Sequence, residues 1–343
     1  MRIAELYEPH QFRLVEGNVE PPGPGQVQVR VEAVGVCGSD LHNFAEGAVG
    51  DTPCVYPMVL GHEPAGTVVK AGPGVSGWSA GDRAILEPAI YCYHCEFCRS
   101  GRHNVCLNLR FLSAAPDPGF FRDFVNLPIH NLLPLPPGLS FEEGTVVEPL
   151  AVILHSMKFA ALQFGETAAV FGAGPIGLMT TLLLKLSGAS RIWSVEPVPE
   201  RRELALKMGA DAAIDPGVVD PVRQILADTG GRGVDVAIDC AAKGDSTNQC
   251  LEALRNAGRV VVTGIHAGSH FPLDFSPMRR KELTLFNVRR SNNESEAAVE
   301  LLRAERTRFT PMLTHELPLE KVQEAFSKLE RYQDGMGKVV ITL

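Results

Sequence analysis

Eighteen consecutive residues without a charge, TAAVFGAGPIGLMTTLLL from Thr167 to Leu184, constrain this chain more than any other feature. An uncharged run of that length must be buried, in a bilayer or in a protein core. Gly172, Gly174, Pro175 and Gly177 interrupt it, so it reads as a buried strand, a glycine turn and a buried helix rather than one spanning helix. The same texture continues downstream. RIWSVE precedes PERRELALKMGA, VDVAIDC precedes STNQCLEALRNAG, and GRVVVTGI follows. Apolar strands alternating with helices predict a doubly wound α/β domain with a parallel sheet and crossover helices.

The first half has a different pattern. From Gln26, QVQVRVEAVGVC alternates polar and apolar residues as a half-buried strand does, and Gly and Pro recur up to about Gly138, as in PPGPG and PLPPG. That half is mostly strands and loops. After Glu294 the chain predicts two amphipathic helices, ESEAAVELLRAE and LEKVQEAFSKLE, and a closing strand KVVITL. With 343 residues, two domains are expected. The tail is expected to pack back on the first half, which gives one β-rich domain from 1–150 and 289–343 and an inserted α/β domain from 151–288.

The N-terminus MRIAELYEPHQFRLVEG is charged from its second residue and lacks the apolar core of a secretory signal, so a cytoplasmic location is expected. A formal net charge of −8 argues against nucleic acid or an anionic membrane as partner.

The glycine turn points to a cofactor. Gly172, Gly174 and Gly177 form G-x-G-x-x-G after a strand and before a helix, with Pro175 and Ile176 opening the helix. There, backbone amides and the helix N-terminus can approach a pyrophosphate. Alone the motif is weak, since a glycine turn also serves helix–sheet packing. Glu196, at the end of the next strand, strengthens it, because a carboxylate there can accept hydrogen bonds from an adenosine ribose and would repel a 2′-phosphate. This favours NAD. Arg201 and Arg202 keep NADP open, or else belong to a solvated helix face.

Four of the eight cysteines fall within CYHCEFCRSGRHNVC: Cys92, Cys95, Cys98 and Cys106. The spacing C-x2-C-x2-C-x7-C can bring four thiolates to one tetrahedral zinc. A [4Fe-4S] cluster also takes four cysteines, but the Cys-Pro ending of the ferredoxin run is absent. Disulfides are the alternative in an oxidising compartment. Four thiolates close a zinc site to substrate, so this metal is structural, and His94 among them is read as solvated. A second ligand set lies elsewhere: Cys37 in VCGSDLH, His62 and Glu63 in LGHEPAG, and Glu148 in VVEPLAV. One thiolate, one imidazole and one or two carboxylates suit a catalytic zinc with an open position. Singly, each residue has an ordinary structural reading. Cys54, Cys240 and Cys250 have no ligand-like neighbours and are read as structural.

CGSDLH from Cys37, Gly61-His62-Glu63, the four-cysteine loop, GAGPIG and the closing DGMGKVVITL occur in the order seen in zinc-containing medium-chain dehydrogenases, and the chain resembles that family over essentially its whole length. Glu148-Pro149 and FLSAAPDPGFFRDFV resemble its sorbitol (polyol) dehydrogenase branch. The resemblance implies a GroES-like catalytic domain built from both chain ends, a Rossmann domain between them, and an active site in the cleft. It also implies two zinc ions per chain. The catalytic zinc would acidify a substrate hydroxyl so that hydride can pass to the nicotinamide. Ser39 would take the substrate proton and a relay through the cofactor ribose would carry it to His42. Glu63 is expected to be a ligand, although neighbours on a regular strand face opposite ways, so the backbone there must be irregular. Glu148 is expected as a fourth ligand, or as a carboxylate bonded to water on the metal. Phe111 and Phe121 are candidate pocket residues, and Arg290 is expected to face the cofactor and a polar substrate.

These features predict an NAD-dependent zinc dehydrogenase that oxidises a secondary alcohol of a polyol or sugar-like substrate to a ketone. Threonine 3-dehydrogenase, glucose dehydrogenase and butanediol dehydrogenase use similar ligands and remain alternatives. So does a binding or structural relative that has lost catalysis, against which the intact Cys37, His62, Ser39 and His42 speak. A zinc ribbon binding nucleic acid ranks lowest. Relatives pair through the edge of the cofactor-domain sheet, so a homo-oligomer is expected, a tetramer by analogy with a dimer as the alternative.

Overall fold

The computed structural model describes residues 1–268 and 270–343. By contact density the chain forms two units. One comprises Met1–Ala151, Asn292–Arg306 and Leu313–Leu343; the other comprises Val152–Ser291 and Thr307–Met312. The sequence placed the second crossing at 288/289 and gave the short piece at 307–312 to the first domain; the structure differs on both.

In the first unit the alternating segment is the strand Gln26–Gly35, and it organises a seven-stranded sheet. One edge pairs antiparallel with Glu63–Ala71. The other edge is shared: Phe124–Pro128 pairs with its first half, and the closing strand Lys338–Thr342 pairs with its last residues. Val27, Val29 and Val31 are buried, as an alternating strand with one face on the core requires, and the buried Val34 follows a register shift between Val31 and Ala33. That core also holds Phe44, Phe121 and Phe326. Phe121 is fully buried, with its ring 5.9 Å from that of Phe326 and 6.5 Å from that of Phe12. Its ring packs into the core, where the sequence reading expected a pocket candidate.

The second unit carries six strands in the order Ala212–Ile214, Arg191–Val195, Thr167–Phe171, Val234–Asp239, Leu254–Val262 and Thr284–Asn287, all parallel. This is the doubly wound sheet expected. Strand order reverses between Thr167–Phe171 and Val234–Asp239, and in such sheets ligands bind beyond the strand carboxyl ends at that reversal. Two details differ from the sequence reading. The helix in STNQCLEALRNAG ends at Ala253, and Leu254 onward already belongs to the next strand, which is irregular near Ala257 (φ 54°). The strand Ala212–Ile214 and the helix Pro221–Asp228 were not named from the sequence, although Asp220-Pro221 is a helix-start signal. Among the described residues no helix is long and apolar enough to cross a membrane.

Candidate metal and cofactor sites

The four-cysteine lobe is built locally. The Sγ atoms of Cys92 and Cys106 lie 3.4 Å apart, those of Cys92 and Cys98 4.0 Å, and those of Cys95 and Cys106 4.0 Å. A tetrahedral site with metal–sulfur bonds of about 2.3 Å has sulfur–sulfur edges of about 3.8 Å, so the four atoms fit one zinc ion. Backbone amides already point at the sulfurs: Cys95 N–H donates to Cys92 Sγ at 3.4 Å and Cys98 N–H to Cys95 Sγ at 3.5 Å. Amides of His94 and Cys95 push the Cys92 thiol down to about 5, whereas burial and the neighbouring thiols push Cys98 up to about 12. Amides of Cys98 and Leu107 lower the Cys95 thiol too, so the lobe favours thiolate at two sulfurs and leaves Cys98 to be ionised by a metal. His94 stays outside the cluster and is exposed, its Nδ1 2.7 Å from the Cys92 carbonyl.

The second set is assembled from distant segments. Cys37 caps the helix Gly38–Ala45, His62 precedes the strand Glu63–Ala71, and Glu63 opens that strand. Ligand atoms of these three residues lie within 4.8 Å of one another. Gly61 makes this possible. Its φ of +86° turns the chain just before the strand, so His62 and Glu63 escape the alternation that would send them to opposite faces. A Cβ at Gly61 would meet Val34 and Phe121 at about 3 Å.

Asp40, one helical turn after Cys37, holds the site together. Its carboxylate accepts from the amides of Cys37 (3.1 Å) and Gly61 (3.2 Å) and lies 3.4 Å from His62 Nδ1. Burial disfavours the charge of Asp40, but His62 and the two amides outweigh it and keep the carboxyl below its ordinary range. Burial likewise disfavours imidazolium at His62, yet the charges of Asp40 and Cys37 win and raise it well above its ordinary value. The protein's own groups therefore call for positive charge here. Glu63 is buried and ion-paired through Oε2 to Lys338 Nζ, while its Oε1 is buried with no hydrogen-bond partner among the described residues. An orphaned carboxylate oxygen beside a thiol and an imidazole fits a divalent metal, which would satisfy it.

Glu148 does not join this group. It lies in the first turn of the helix Val147–Ala160, where the helix N-terminus favours an acid, and no oxygen of it stands within 4.8 Å of all three ligand atoms. It stands outside the three-residue group, and its two expected roles, fourth ligand or carboxylate bonded to water on the metal, are proposals. Phe111 is half-buried, with its ring 5.3 Å from that of His62. Ser39 and His42, three apart on the helix Gly38–Ala45, share a half-buried face, and His42 Nδ1 is 3.1 Å from Glu46.

In the second unit the glycines sit where the parallel sheet needs them. Gly172 leaves the strand with φ +94°, and Gly174 caps the helix Pro175–Leu186, which opens on Pro175 and the half-buried Ile176. A Cβ at Gly177 would lie 1.8 Å from the Gly172 carbonyl, so only glycine lets helix and strand approach this closely. Glu196 is buried. Its Oε2 accepts from the Ala173 amide at 2.7 Å and its Oε1 from the Val198 amide at 3.0 Å. Each oxygen keeps a second lone pair for a ribose hydroxyl. Arg202 donates to the carbonyls of Glu196 and Pro197 and pairs with Asp215 at 2.9 Å, so its guanidinium is already committed. Arg201 is buried, which excludes the solvated-face reading for it. Arg290 follows the last strand with φ +52°.

Sequence reasoning missed two members of the Cys37–His62–Glu63 site. Asp40 stood inside the quoted CGSDLH segment, and its position three residues after a helix-capping Cys was an available signal. Lys338 had none, because its partner is 275 residues away.

Comparison with known proteins agrees with this arrangement. Residues 23–137 match the alcohol dehydrogenase GroES-like domain family and residues 175–304 the zinc-binding dehydrogenase family. The chain is 34% identical to sorbitol dehydrogenase of Rattus norvegicus over 340 residues, covering 98% of this chain and 94% of that protein. Solved structures of similar shape include L-idonate 5-dehydrogenase from Escherichia coli, with TM-score 0.91 and 27% identity over 100% of this chain and 98% of that one. Another is a zinc-binding dehydrogenase from Sinorhizobium meliloti 1021 bound to NADP, with TM-score 0.91 and 28% identity over 100% and 99%. With a glycine turn for a dinucleotide, a closed four-sulfur lobe and an open Cys–His–Glu set on one chain, this protein belongs to the zinc-binding dehydrogenases of the alcohol dehydrogenase family.

Proposed function

We propose that this protein oxidises a secondary alcohol of a polyol or sugar-like substrate to a ketone and passes the hydride to NAD. The observation that carries the reading is the buried Cys37, His62 and Glu63 set with one unpartnered carboxylate oxygen. A zinc ion held by these three residues would supply Lewis acidity to the substrate hydroxyl. Asp40 sets a negative charge 3.4 Å from His62 Nδ1, and Gly61 fixes the turn that lets His62 and Glu63 converge. We assign Ser39 to taking the hydroxyl proton and His42 to releasing it, supported by their shared helix face. Phe111, beside His62, is assigned to the wall of the substrate pocket.

Cofactor contacts are assigned to Gly172, Gly174, Pro175, Ile176, Gly177 and Glu196, with Arg201 and Arg290 as further members. Glu196 supports NAD over NADP, since a 2′-phosphate would meet its buried charge, and the neighbouring Arg202 is held by Asp215. The strand Thr284–Asn287 ends the six-stranded sheet, which supports pairing with a second copy and assembly into a tetramer. Light scattering would show a single-chain mass if that is wrong. The need to keep eight thiols reduced supports a cytoplasmic location.

The test is nicotinamide reduction by zinc-replete protein with NAD and NADP in parallel, over polyols, aldoses, threonine, butanediol and simple alcohols. Turnover with a polyol and NAD, lost in Cys37→Ser, is the expected result. Turnover confined to threonine, glucose or butanediol would move the substrate. No turnover from folded protein carrying two zinc ions would overturn the reading.

A further inference from the structure

The closing strand brings a lysine into the middle of the metal centre. Lys338 is 1% exposed, donates from Nζ to the Val36 carbonyl at 3.1 Å, and pairs with Glu63 Oε2. The space for this pair is reserved by a glycine. Gly35 lies opposite Glu63 across the sheet, and a Cβ there would stand 2.1 Å from Glu63 Oε2 and 2.8 Å from Lys338 Cε. A buried ion pair is poor evidence for stability by itself, because desolvation offsets most of its attraction. Here it divides the carboxylate: one oxygen is bound to the lysine and the other is left without a partner.

We propose that Lys338 is a positioning residue of the catalytic metal centre, which commits Glu63 to offering a single oxygen and cancels one of the two negative charges that Cys37 and Glu63 bring. The proposal rests on reading Cys37, His62 and Glu63 as metal ligands. Two anionic ligands would neutralise a divalent ion and blunt its pull on a substrate hydroxyl. A fixed ammonium behind one of them restores a net positive centre without removing a ligand. The cation that strengthens the pull also weakens the hold on the metal.

Lys338→Met should therefore release the catalytic metal to a chelator more slowly than wild type, by about tenfold or more, a figure set well below the full Coulomb attraction or repulsion of one charge a few ångströms from a divalent ion at an effective dielectric near 20. Its kcat should fall while KM for NAD stays unchanged, and Lys338→Arg should restore kcat and the wild-type rate of metal release. With cobalt in place of zinc, the visible absorption should weaken as the freed Oε2 joins the ion and coordination number rises. Faster or unchanged metal release, with activity per bound metal equal to wild type, would leave Lys338 a packing residue and overturn the proposal. If Lys338→Met does not fold, Glu63→Gln is compared with Glu63→Gln/Lys338→Met. The double variant should hold metal more tightly than the single, and equal or weaker binding would overturn the proposal. Metal content separates this from failure of the underlying reading: wild type should carry two ions and Cys37→Ser one, whereas one ion in both would sink the ligand assignment instead.

Discussion

The two sulfur-containing clusters of this chain are opposite solutions to holding a cation. The lobe gathers four sulfurs from fifteen consecutive residues, uses backbone amides to favour thiolate, and leaves no place for a further ligand. The other set takes one sulfur, one imidazole and one carboxylate from a helix cap, a turn and a strand, and surrounds them with Asp40 and Lys338. Closure by identical ligands suits a brace, whereas mixed ligands with charged neighbours suit a centre whose electronics matter. The lobe depends on local sequence and the second site on the whole first unit.

The largest expected effect separates the two roles. Cys37→Ala should cost about a thousandfold or more in kcat/KM, the several kcal/mol that a Lewis acid contributes, with one metal lost and the melting temperature nearly unchanged. Cys95→Ala should do the reverse, losing one metal and cooperative unfolding of the first unit, because such a lobe has little core without its ion. Metal analysis, calorimetry and steady-state rates on both variants decide the matter. Equal losses of stability from both would erase the distinction.

A smaller effect is expected from Asp40→Asn, which keeps the shape and removes the charge facing His62. Outer partners of metal ligands move metal affinity by about 10–100-fold, so the catalytic metal should be lost to a chelator that much faster. The lobe should keep its ion at the wild-type rate. Equal acceleration at both sites would mean that Asp40 supports the fold of the unit rather than the His62 ring.

The same contrast explains what could be read from the sequence. The lobe was legible because its ligands are neighbours, and the glycine turn because strand, turn and helix are contiguous. Glu63 was ambiguous: strand alternation argues against it, and only the φ of Gly61 resolves the conflict. Lys338 sits in an apolar closing strand, where its burial depends on a space opened by Gly35 three hundred residues earlier in the fold's register. An aromatic ring near a motif carries no sign of which way it packs, and Phe121 packs into the core with Phe12 and Phe326. Glu148 illustrates the same limit, since a carboxylate at a helix start has a sufficient local reason to be there.

The smallest effect tests how independent the lobe is. Asn292, where the chain returns to the first unit, clasps the lobe through two bonds: its Oδ1 accepts from the His103 amide and its Nδ2 donates to the Gly101 carbonyl, each at 2.8 Å. Asn293 adds a contact of 3.1 Å to the His103 ring. If the lobe is a self-contained brace, its ion and amide–sulfur bonds hold its shape and the clasp only anchors it. Asn292→Ala should then lower stability by about 1–2 kcal/mol, two ordinary hydrogen bonds at about 1 kcal/mol each. Release of the lobe's ion should stay within twofold of wild type, and hydrogen exchange should rise at 101–103 alone. A lobe that loses its ion readily in this variant would instead owe its geometry to the return segment, and the contrast between a locally built site and a globally built one would narrow to the number of sulfurs.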